Sequence, residues 1–185
     1  MPRIKVVEEE NAEGKVKAVY DQLKSAFGKV PGVMKALSPW PDVLELYVNR
    51  VGMIMLSETK LTRAQKEMIA ALVSKINECD YCLTYHKSFM VDAGLSSPIA
   101  EAVVADYQTS AISDAEKKLL AYAEKVTRHA YKTTDADVEG LKECGWSDGQ
   151  ILEATLVVGL FCDINRWVDA LGFRYEDDRA TPGGK

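Results

Sequence analysis

The chain contains 185 residues, of which 47% are hydrophobic and 28% charged, and it carries a formal net charge of −5. This composition is that of a folded globular protein, and the length suits one sizeable core, so we predict a single domain over residues 1–185. Because the charge is negative and the basic residues are scattered, we expect no nucleic acid and no membrane surface as a partner, since both attract clustered lysine and arginine.

The N-terminal segment MPRIKVVEEENAEG contains no apolar stretch of the kind that directs export. We therefore expect a cytoplasmic protein. In a reducing compartment, the four cysteines of this chain are a poor basis for a disulfide framework.

Helix signals recur along the chain, whereas strand signals are confined to an isolated IKVV near the start. Apolar residues recur at helical spacing from Val16 to Phe27 and from Leu44 to Leu56. Prolines and glycines in FGKVPGV and SPWPDV mark turns between short helices. A further helical face is formed by Met68, Ile69, Leu72, Val73 and Ile76. The pattern predicts an all-α fold.

Capping signals mark where several helices begin and end. The sequences TRAQ at Thr62–Gln65, SDAE at Ser113–Glu116 and SDGQ at Ser147–Gln150 each place an acid or amide three residues after a hydroxyl. This spacing is typical of a capping box at a helix start. Gly94 and Gly145 each precede an apolar residue and a serine, which predicts the same type of helix end at both positions.

The segment from Ile151 to Leu171 is nearly apolar all round, but polar and charged residues interrupt it. The interrupting residues are Glu153, Asp163, Asn165, Arg166 and Asp169. Because a bilayer span needs about 20 predominantly apolar residues, we do not expect this helix to cross a membrane. We expect it to be buried, either in the centre of the domain or against another subunit.

The segment ECDYCLTYH, Glu78–His86, carries the strongest chemical signal in the chain. If Cys82 and His86 lie on one helix, their four-residue spacing places them one turn apart on one face, where His86 can accept the thiol proton. Asn77 and Asp80 are both good N-cap residues. A helix that begins near here would place the sulfurs in its first turn, where the dipole favours a thiolate.

The flanking acids assign different roles to the two cysteines. Glu78 and Asp80 flank Cys79 and raise the cost of a thiolate there. Cys82 is better placed relative to His86. We therefore predict that Cys82 is the nucleophile and that Cys79 resolves it.

Three other interpretations of the motif remain open at this point. A structural zinc site needs four ligands, and the other cysteines and the other histidine are too isolated in the sequence to complete one. We expect these residues, Cys144, Cys162 and His129, only to be packed in the interior. A thioredoxin-type couple needs strands that lead into the motif, and the sequence predicts none in the right place. The third interpretation is two buried cysteines at helical spacing beside a core histidine.

The run EMIAALVSKINECDYCLTYHKSFMVDAGLS, Glu67–Ser96, resembles the signature of the alkylhydroperoxidase D-like branch of the carboxymuconolactone decarboxylase superfamily. That signature is a glutamate, eleven intervening residues and then Cys-x-x-Cys-x-x-x-His, which this chain matches. Looser similarity covers EGKVKAVYDQLKSAFGKVPGVMKAL, PDVLELY and FCDINRWVDALG. These segments are similar to parts of the family's peroxidase-related members.

The resemblance implies a compact multi-helix fold that reduces hydroperoxides with the cysteine pair. Glu67 and His86 would form a proton relay to Cys82, which would become a sulfenic acid and then a disulfide with Cys79. An external dithiol would reduce that disulfide, and no metal, haem or flavin cofactor would be needed. The resemblance also implies a homo-oligomer built from dimers, expected to be a hexamer. Without the family resemblance, Glu67 would be interpreted only as an acidic residue near the start of a helix, after Thr62, where it interacts favourably with the helix dipole.

One position departs from the family pattern. The alkylhydroperoxidase that names the branch has a histidine just before the second cysteine, where this chain has Tyr81. Tyrosine accepts protons poorly near neutral pH, so we expect slower peroxide turnover and a different reductant.

Two alternative functions are compatible with the same fold. One is a non-catalytic helical oligomer whose cysteine pair senses redox state. The other is a decarboxylase or other lyase-like activity, which would survive the loss of both cysteines.

Overall fold

A computed structural model describes residues 2–175 of the chain. Within these residues the secondary structure is helical and contains no strand, which confirms the all-α prediction. The α-helices are α1 Gly14–Phe27, α2 Gly32–Lys35, α3 Pro41–Val51, α4 Arg63–Ile76, α5 Asp80–Asp92, α6 Ser97–Asp106, α7 Asp114–His129, α8 Asp135–Glu143 and α9 Asp148–Leu171. A π-helical segment at Gly52–Leu56 follows α3, and 3-10 turns lie at Glu9–Asn11 and Ala130–Lys132. The segment predicted as helical from Leu44 to Leu56 is therefore α3 followed by this π-helix.

The chain divides into two compact units. The first comprises Met1–Met53 together with Trp167–Lys185, and the second comprises Ile54–Arg166. Helix α9 supplies residues 148–166 to the second unit and residues 167–171 to the first. Folding as one domain stays a prediction.

The first unit has a core formed by α1 to α3 and the loops between them. Its buried side chains are Val16, Val19, Tyr20, Leu23, Val30, Met34, Leu44 and Val48. The hydroxyl of Tyr20 donates to the carbonyl of Val7 at 2.8 Å, and the amide of Val7 donates to Ser38 Oγ at 2.7 Å. These bonds attach the N-terminal segment to the core.

The second unit is organised around α4, which packs against α5, α6 and α7. Every residue from Lys66 to Ser74 is buried, so α4 is enclosed on all sides. The prediction of a single apolar face on this helix was too narrow. Because buried polar groups need hydrogen-bond partners, Lys66, Glu67 and Ser74 must each be satisfied inside the protein.

The loop before α4 is fixed by an ion pair between two helices. Lys66 Nζ lies 3.2 Å from Glu153 Oε1 of α9 and donates to Thr59 Oγ1 at 2.6 Å. The Glu153 carboxylate also accepts the backbone amides of Lys60 and Leu61, at 3.1 and 2.8 Å. Burial raises the pKa of Glu153, but the hydrogen bonds from Thr59 and Leu61 and the pairing with Lys66 outweigh it and lower the pKa below its ordinary value.

The predicted capping boxes are present at the starts of α4, α7 and α9. The two predicted glycine ends are also confirmed, because Gly94 and Gly145 have φ of 99° and 92°. After each glycine, the backbone amide of the following residue donates to the carbonyl five residues earlier. Leu95 donates to Met90 and Trp146 donates to Leu141, both at 3.1 Å. One type of helix end is therefore used twice.

Helix α9 is buried on one face and exposed on another. Ala154, Val157 and Leu160 are fully buried, whereas Leu152 and Leu156 are 60% and 47% exposed. Burial of the exposed face against another subunit stays a prediction. Among residues 2–175 no helix has the length and hydropathy that a bilayer crossing needs.

Candidate active site

The reversal between α4 and α5 places the cysteine pair. Asn77 is the C-cap of α4, Glu78 adopts a left-handed φ of 60°, and Cys79 is the N-cap of α5. The amide of Cys79 donates to the carbonyl of Ser74 at 2.9 Å, which closes the turn. A helix does begin at Asp80, but Asn77 closes α4 instead of starting α5, and the N-cap is Cys79.

The two cysteines are in contact and buried. Cys79 is 0% and Cys82 is 4% exposed, and neither cysteine forms a disulfide. The Cys79 thiol donates to Cys82 Sγ, and the two sulfur atoms are 2.8 Å apart. Cys82 lies in the first turn of α5, where the helix dipole stabilises negative charge. This arrangement suits a thiol that becomes an anion and a second thiol that reacts with it.

Glu67 and His86 form a second buried pair. Glu67 Oε2 lies 2.6 Å from His86 Nδ1, and Glu67 is fully buried. The other carboxylate oxygen, Oε1, accepts from Arg63 Nε at 2.5 Å. Because Arg63 is a permanent cation that pairs with Glu67, the carboxylate acts as the acceptor and His86 Nδ1 carries the proton. The lone pair of His86 is then on Nε2, where the ring can accept another proton.

The ring of His86 is held between aromatic side chains. It packs edge-on to Phe161 of α9 with ring centroids 4.2 Å apart, and Phe89 lies 6.0 Å away. The guanidinium of Arg63 sits 5.8 Å above the Phe89 ring. These contacts restrict the imidazole to an orientation in which Nδ1 faces Glu67.

Tyr81 lies between the two cysteines in the sequence and is buried. Its ring packs against Tyr85 at 5.0 Å, and Tyr85 in turn packs against Phe89 at 5.8 Å. These side chains form an aromatic row along α5 that ends beside His86.

The structure thus brings Cys79 to Cys82 and Glu67 to His86, and it places Cys82 and His86 one turn apart on α5. Sequence reasoning missed Arg63 and Phe161. The spacing of Arg63 four residues before Glu67 was a usable signal, because such pairs face each other on a helix. Phe161 begins the segment FCDINRWVDALG, but no local spacing links it to His86, which is 75 positions away.

The remaining candidate residues lie apart from this site or at its edge. Cys144 and His129 are exposed, which corrects the expectation that they are packed. Cys162 is half-buried, with its sulfur 3.9 Å from the side-chain nitrogen of Asn77. Among the residues that the structure describes, no three or more His, Cys, Asp or Glu side chains are grouped so that they could hold a metal ion.

Comparison with known proteins identifies relatives of both the sequence and the fold. The model of the carboxymuconolactone decarboxylase family matches residues 41–125. No protein of curated function matches the chain. A peroxidase-related protein with an alkylhydroperoxidase AhpD core from Ralstonia eutropha JMP134 superimposes with a TM-score of 0.87 at 25% identity, over 94% of this chain and 91% of its own.

Two further solved structures share the fold. A peroxidase-related protein from Silicibacter sp. TM1040 has a TM-score of 0.82 at 27% identity, over 94% of this chain and 88% of its own. The debrominase Bmp8, in complex with 2,3,4-tribromopyrrole, has a TM-score of 0.79 at 17% identity, over 93% of this chain and 90% of its own. At that identity, the likeness to Bmp8 concerns the fold alone.

Proposed function

We propose that this chain, an alkylhydroperoxidase D-like member of the carboxymuconolactone decarboxylase superfamily, is a thiol-dependent peroxidase that acts through Cys82 and Cys79. The observation that carries the proposal is the contact of the two thiols at 2.8 Å, one helical turn from a histidine that is paired with a buried glutamate. If these four side chains only filled the core, neither the contact between the cysteines nor the contact between His86 and Glu67 would be required.

The first step is formation of the Cys82 thiolate. Nε2 of His86 accepts the thiol proton, and the imidazolium that results is stabilised by Glu67 through Nδ1. Arg63 holds the other oxygen of Glu67, so the carboxylate keeps its orientation while the proton moves. The N-terminal amides of α5 favour the negative charge on sulfur.

The second step is reduction of the hydroperoxide. The thiolate attacks the terminal oxygen of the O–O bond, an S–O bond forms, and the O–O bond breaks. The departing alkoxide takes a proton from the His86 imidazolium and leaves as an alcohol. Cys82 is oxidised to a sulfenic acid, the peroxide is reduced, and His86 returns to its neutral form.

The third step restores the thiols. Cys79 Sγ attacks the sulfenic sulfur, which releases water and forms the Cys79–Cys82 disulfide. An external dithiol of unspecified identity then reduces this disulfide by thiol–disulfide exchange. The cycle needs no metal, haem or flavin.

We also propose that the protein acts in the cytoplasm as a homo-oligomer built from dimers, with a hexamer expected from its family resemblance. The exposed leucines of α9, Leu152 and Leu156, support an apolar contact between copies of the chain.

Steady-state turnover of tert-butyl hydroperoxide with dihydrolipoamide as the dithiol tests the function. The wild-type chain and the Cys144→Ser control should turn over, and the Cys82→Ser and Cys79→Ser variants should not. Oxidation of the pair without turnover would instead identify a redox sensor, and activity that survives loss of both cysteines would identify lyase-like chemistry.

Because proteins of one fold can catalyse different reactions, 2,3,4-tribromopyrrole is a useful alternative substrate to test. Its turnover in the absence of peroxide turnover would contradict the proposal.

A further inference from the structure

The α4–α5 turn is attached to α9 by a buried amide that the peroxidase mechanism does not use. We propose that Asn165 is a positioning residue that holds this turn and thereby keeps the resolving cysteine, Cys79, in contact with Cys82. The inference rests on the proposed function for its kinetic consequences. Its thermodynamic consequence, the stability of the Cys79–Cys82 disulfide, can be measured independently.

Asn165 makes hydrogen bonds at both ends of its amide. It is 0% exposed, its Oδ1 accepts from Asn77 Nδ2 at 3.0 Å, and its Nδ2 donates to Ser74 Oγ at 3.1 Å. Ser74 Oγ in turn donates to the carbonyl of Ala70 at 2.8 Å. A buried amide satisfied in this way fixes the end of α4 relative to α9, because breaking either bond would leave a buried polar group without a partner.

The residues held by Asn165 are the ones that fix Cys79. The carbonyl of Ser74 accepts the Cys79 amide at 2.9 Å, and Asn77 lies two positions before Cys79. Between them, Glu78 adopts a φ of 60°, a left-handed conformation that a non-glycine residue rarely takes. Such a conformation persists when the surrounding structure enforces it. Asn165 holds the chain just before Glu78 through Asn77 and Ser74, and Ser74 accepts the amide of Cys79 just after it, so Glu78 is held from both sides.

The two halves of the site are therefore supported by different contacts. Glu67 and His86 are fixed by each other, by Arg63 and by the packing of Phe161. None of these contacts passes through Asn165. Loss of the Asn165 bonds should therefore leave oxidation of Cys82 intact and slow the attack of Cys79 on the sulfenic acid.

A slower attack changes the fate of the sulfenic acid. Resolution joins the two sulfur atoms and releases water. An unresolved sulfenic acid can instead reduce a second hydroperoxide, which yields a sulfinic acid on Cys82 and another alcohol. Asn165 thus acts against irreversible overoxidation by keeping the resolving thiol in place.

Asn165→Leu, which has similar volume and no hydrogen bonds, is the decisive variant. Ser74→Ala removes only the acceptor of Asn165 Nδ2 and should act in the same direction but more weakly. Thr155→Val is the matched control, because its hydroxyl bonds to the Ile151 carbonyl within the same helix and to Tyr122. Ser74→Ala also keeps the test decisive if Asn165→Leu does not fold.

The reduced full-length chains are mixed with tert-butyl hydroperoxide, quenched at intervals and analysed by mass spectrometry. We expect Asn165→Leu to oxidise Cys82 at the wild-type rate, to form the disulfide about tenfold more slowly, and to accumulate sulfinic acid. In equilibrium with glutathione, the disulfide should be about tenfold easier to reduce, a potential about 30 mV less negative.

Wild-type resolution and wild-type potential in folded Asn165→Leu or Ser74→Ala would overturn the inference. If the wild-type chain fails to form a sulfenic acid, the proposed function is wrong, and the potential alone then decides the inference. A shifted potential would still support a positioning role for Asn165, and an unchanged one would refute it.

Discussion

Glu67 and His86 are 19 positions apart in the chain, yet their side chains meet at 2.6 Å. On one unbroken helix they would lie about 28 Å apart along the axis. They meet because α4 ends at Ile76 and α5 returns alongside it. Since both side chains are buried, water competes little for their hydrogen bond, and Glu67 can stabilise positive charge on the imidazole.

The first prediction concerns this pair and the pH dependence of thiol reactivity. His86→Ala removes the base, so alkylation of Cys82 by iodoacetamide near neutral pH should slow by about a hundredfold. Glu67→Gln keeps the shape but removes the charge that stabilises the imidazolium, and it should slow the reaction less. At alkaline pH the thiol ionises directly, so both variants should recover part of the rate.

The exposed histidine supplies the control for that experiment. His129→Ala should alkylate with the wild-type pH profile, because His129 lies at the exposed end of α7. Wild-type profiles in both Glu67→Gln and His86→Ala would remove the relay and leave His86 as a packed histidine.

The second prediction concerns the departure at Tyr81. A phenol accepts protons poorly near neutral pH, whereas an imidazole accepts them readily. Tyr81→His should therefore speed the reduction of tert-butyl hydroperoxide, measured in a single turnover. Tyr85→His places the same group one turn along the aromatic row and should not speed it. Equal rates in wild type and Tyr81→His would mean that this position does not limit turnover.

The third prediction concerns stability and the buried ion pair of Lys66 with Glu153. Glu153→Gln leaves the Lys66 cation buried without a counter-ion, which should cost about 3 kcal/mol of unfolding free energy at neutral pH. Because the pKa of Glu153 is lowered on folding, its contribution is fully present above the ordinary pKa of a glutamate and is lost as the pH falls through the lowered value. The difference between wild type and variant should therefore shrink on acidification.

Urea unfolding at neutral and acid pH measures this difference. Glu101→Gln, at an exposed position on α6, should differ little from wild type at either pH. A difference for Glu153→Gln that is constant with pH would show that the carboxylate charge does not contribute.

The three capping boxes and the two glycine ends were predictable because their chemistry is local. A hydroxyl and an acid or amide three residues apart satisfy the first amides of a helix wherever the helix lies in the fold. Gly94 and Gly145 likewise need only a left-handed residue after a helix. The four-residue spacing of Cys82 and His86 placed them one turn apart on one helix for the same reason.

Contacts between distant segments could not be predicted from local sequence patterns. Nothing in the sequence around Lys66 indicates that Glu153 is its partner, and nothing around Asn77 points to Asn165. Glu67 was found through resemblance to a family. The prediction of one apolar face for α4 failed because polar side chains can be buried once distant helices supply partners.

The fourth prediction concerns assembly. Leu152 and Leu156 lie on one exposed face of α9, and an apolar face of this kind favours association. Light scattering at micromolar concentration should give an oligomeric mass, and Leu156→Lys should lower it. Leu46→Lys changes an exposed leucine on another helix, α3, and serves as the comparison. A monomeric wild-type mass would contradict the predicted oligomer.

The central claim is that Cys82 is the thiol that hydroperoxide oxidises, and trapping its sulfenic acid tests this most directly. Cys79→Ser is treated with one equivalent of tert-butyl hydroperoxide in the presence of dimedone, and the adduct is located by peptide mass mapping. We predict a rapid adduct on Cys82, with Cys144 and Cys162 unmodified, and no rapid adduct on Cys79 in the Cys82→Ser chain. An adduct that forms equally fast on Cys79 in Cys82→Ser, or no adduct on Cys82 in Cys79→Ser, would contradict the account.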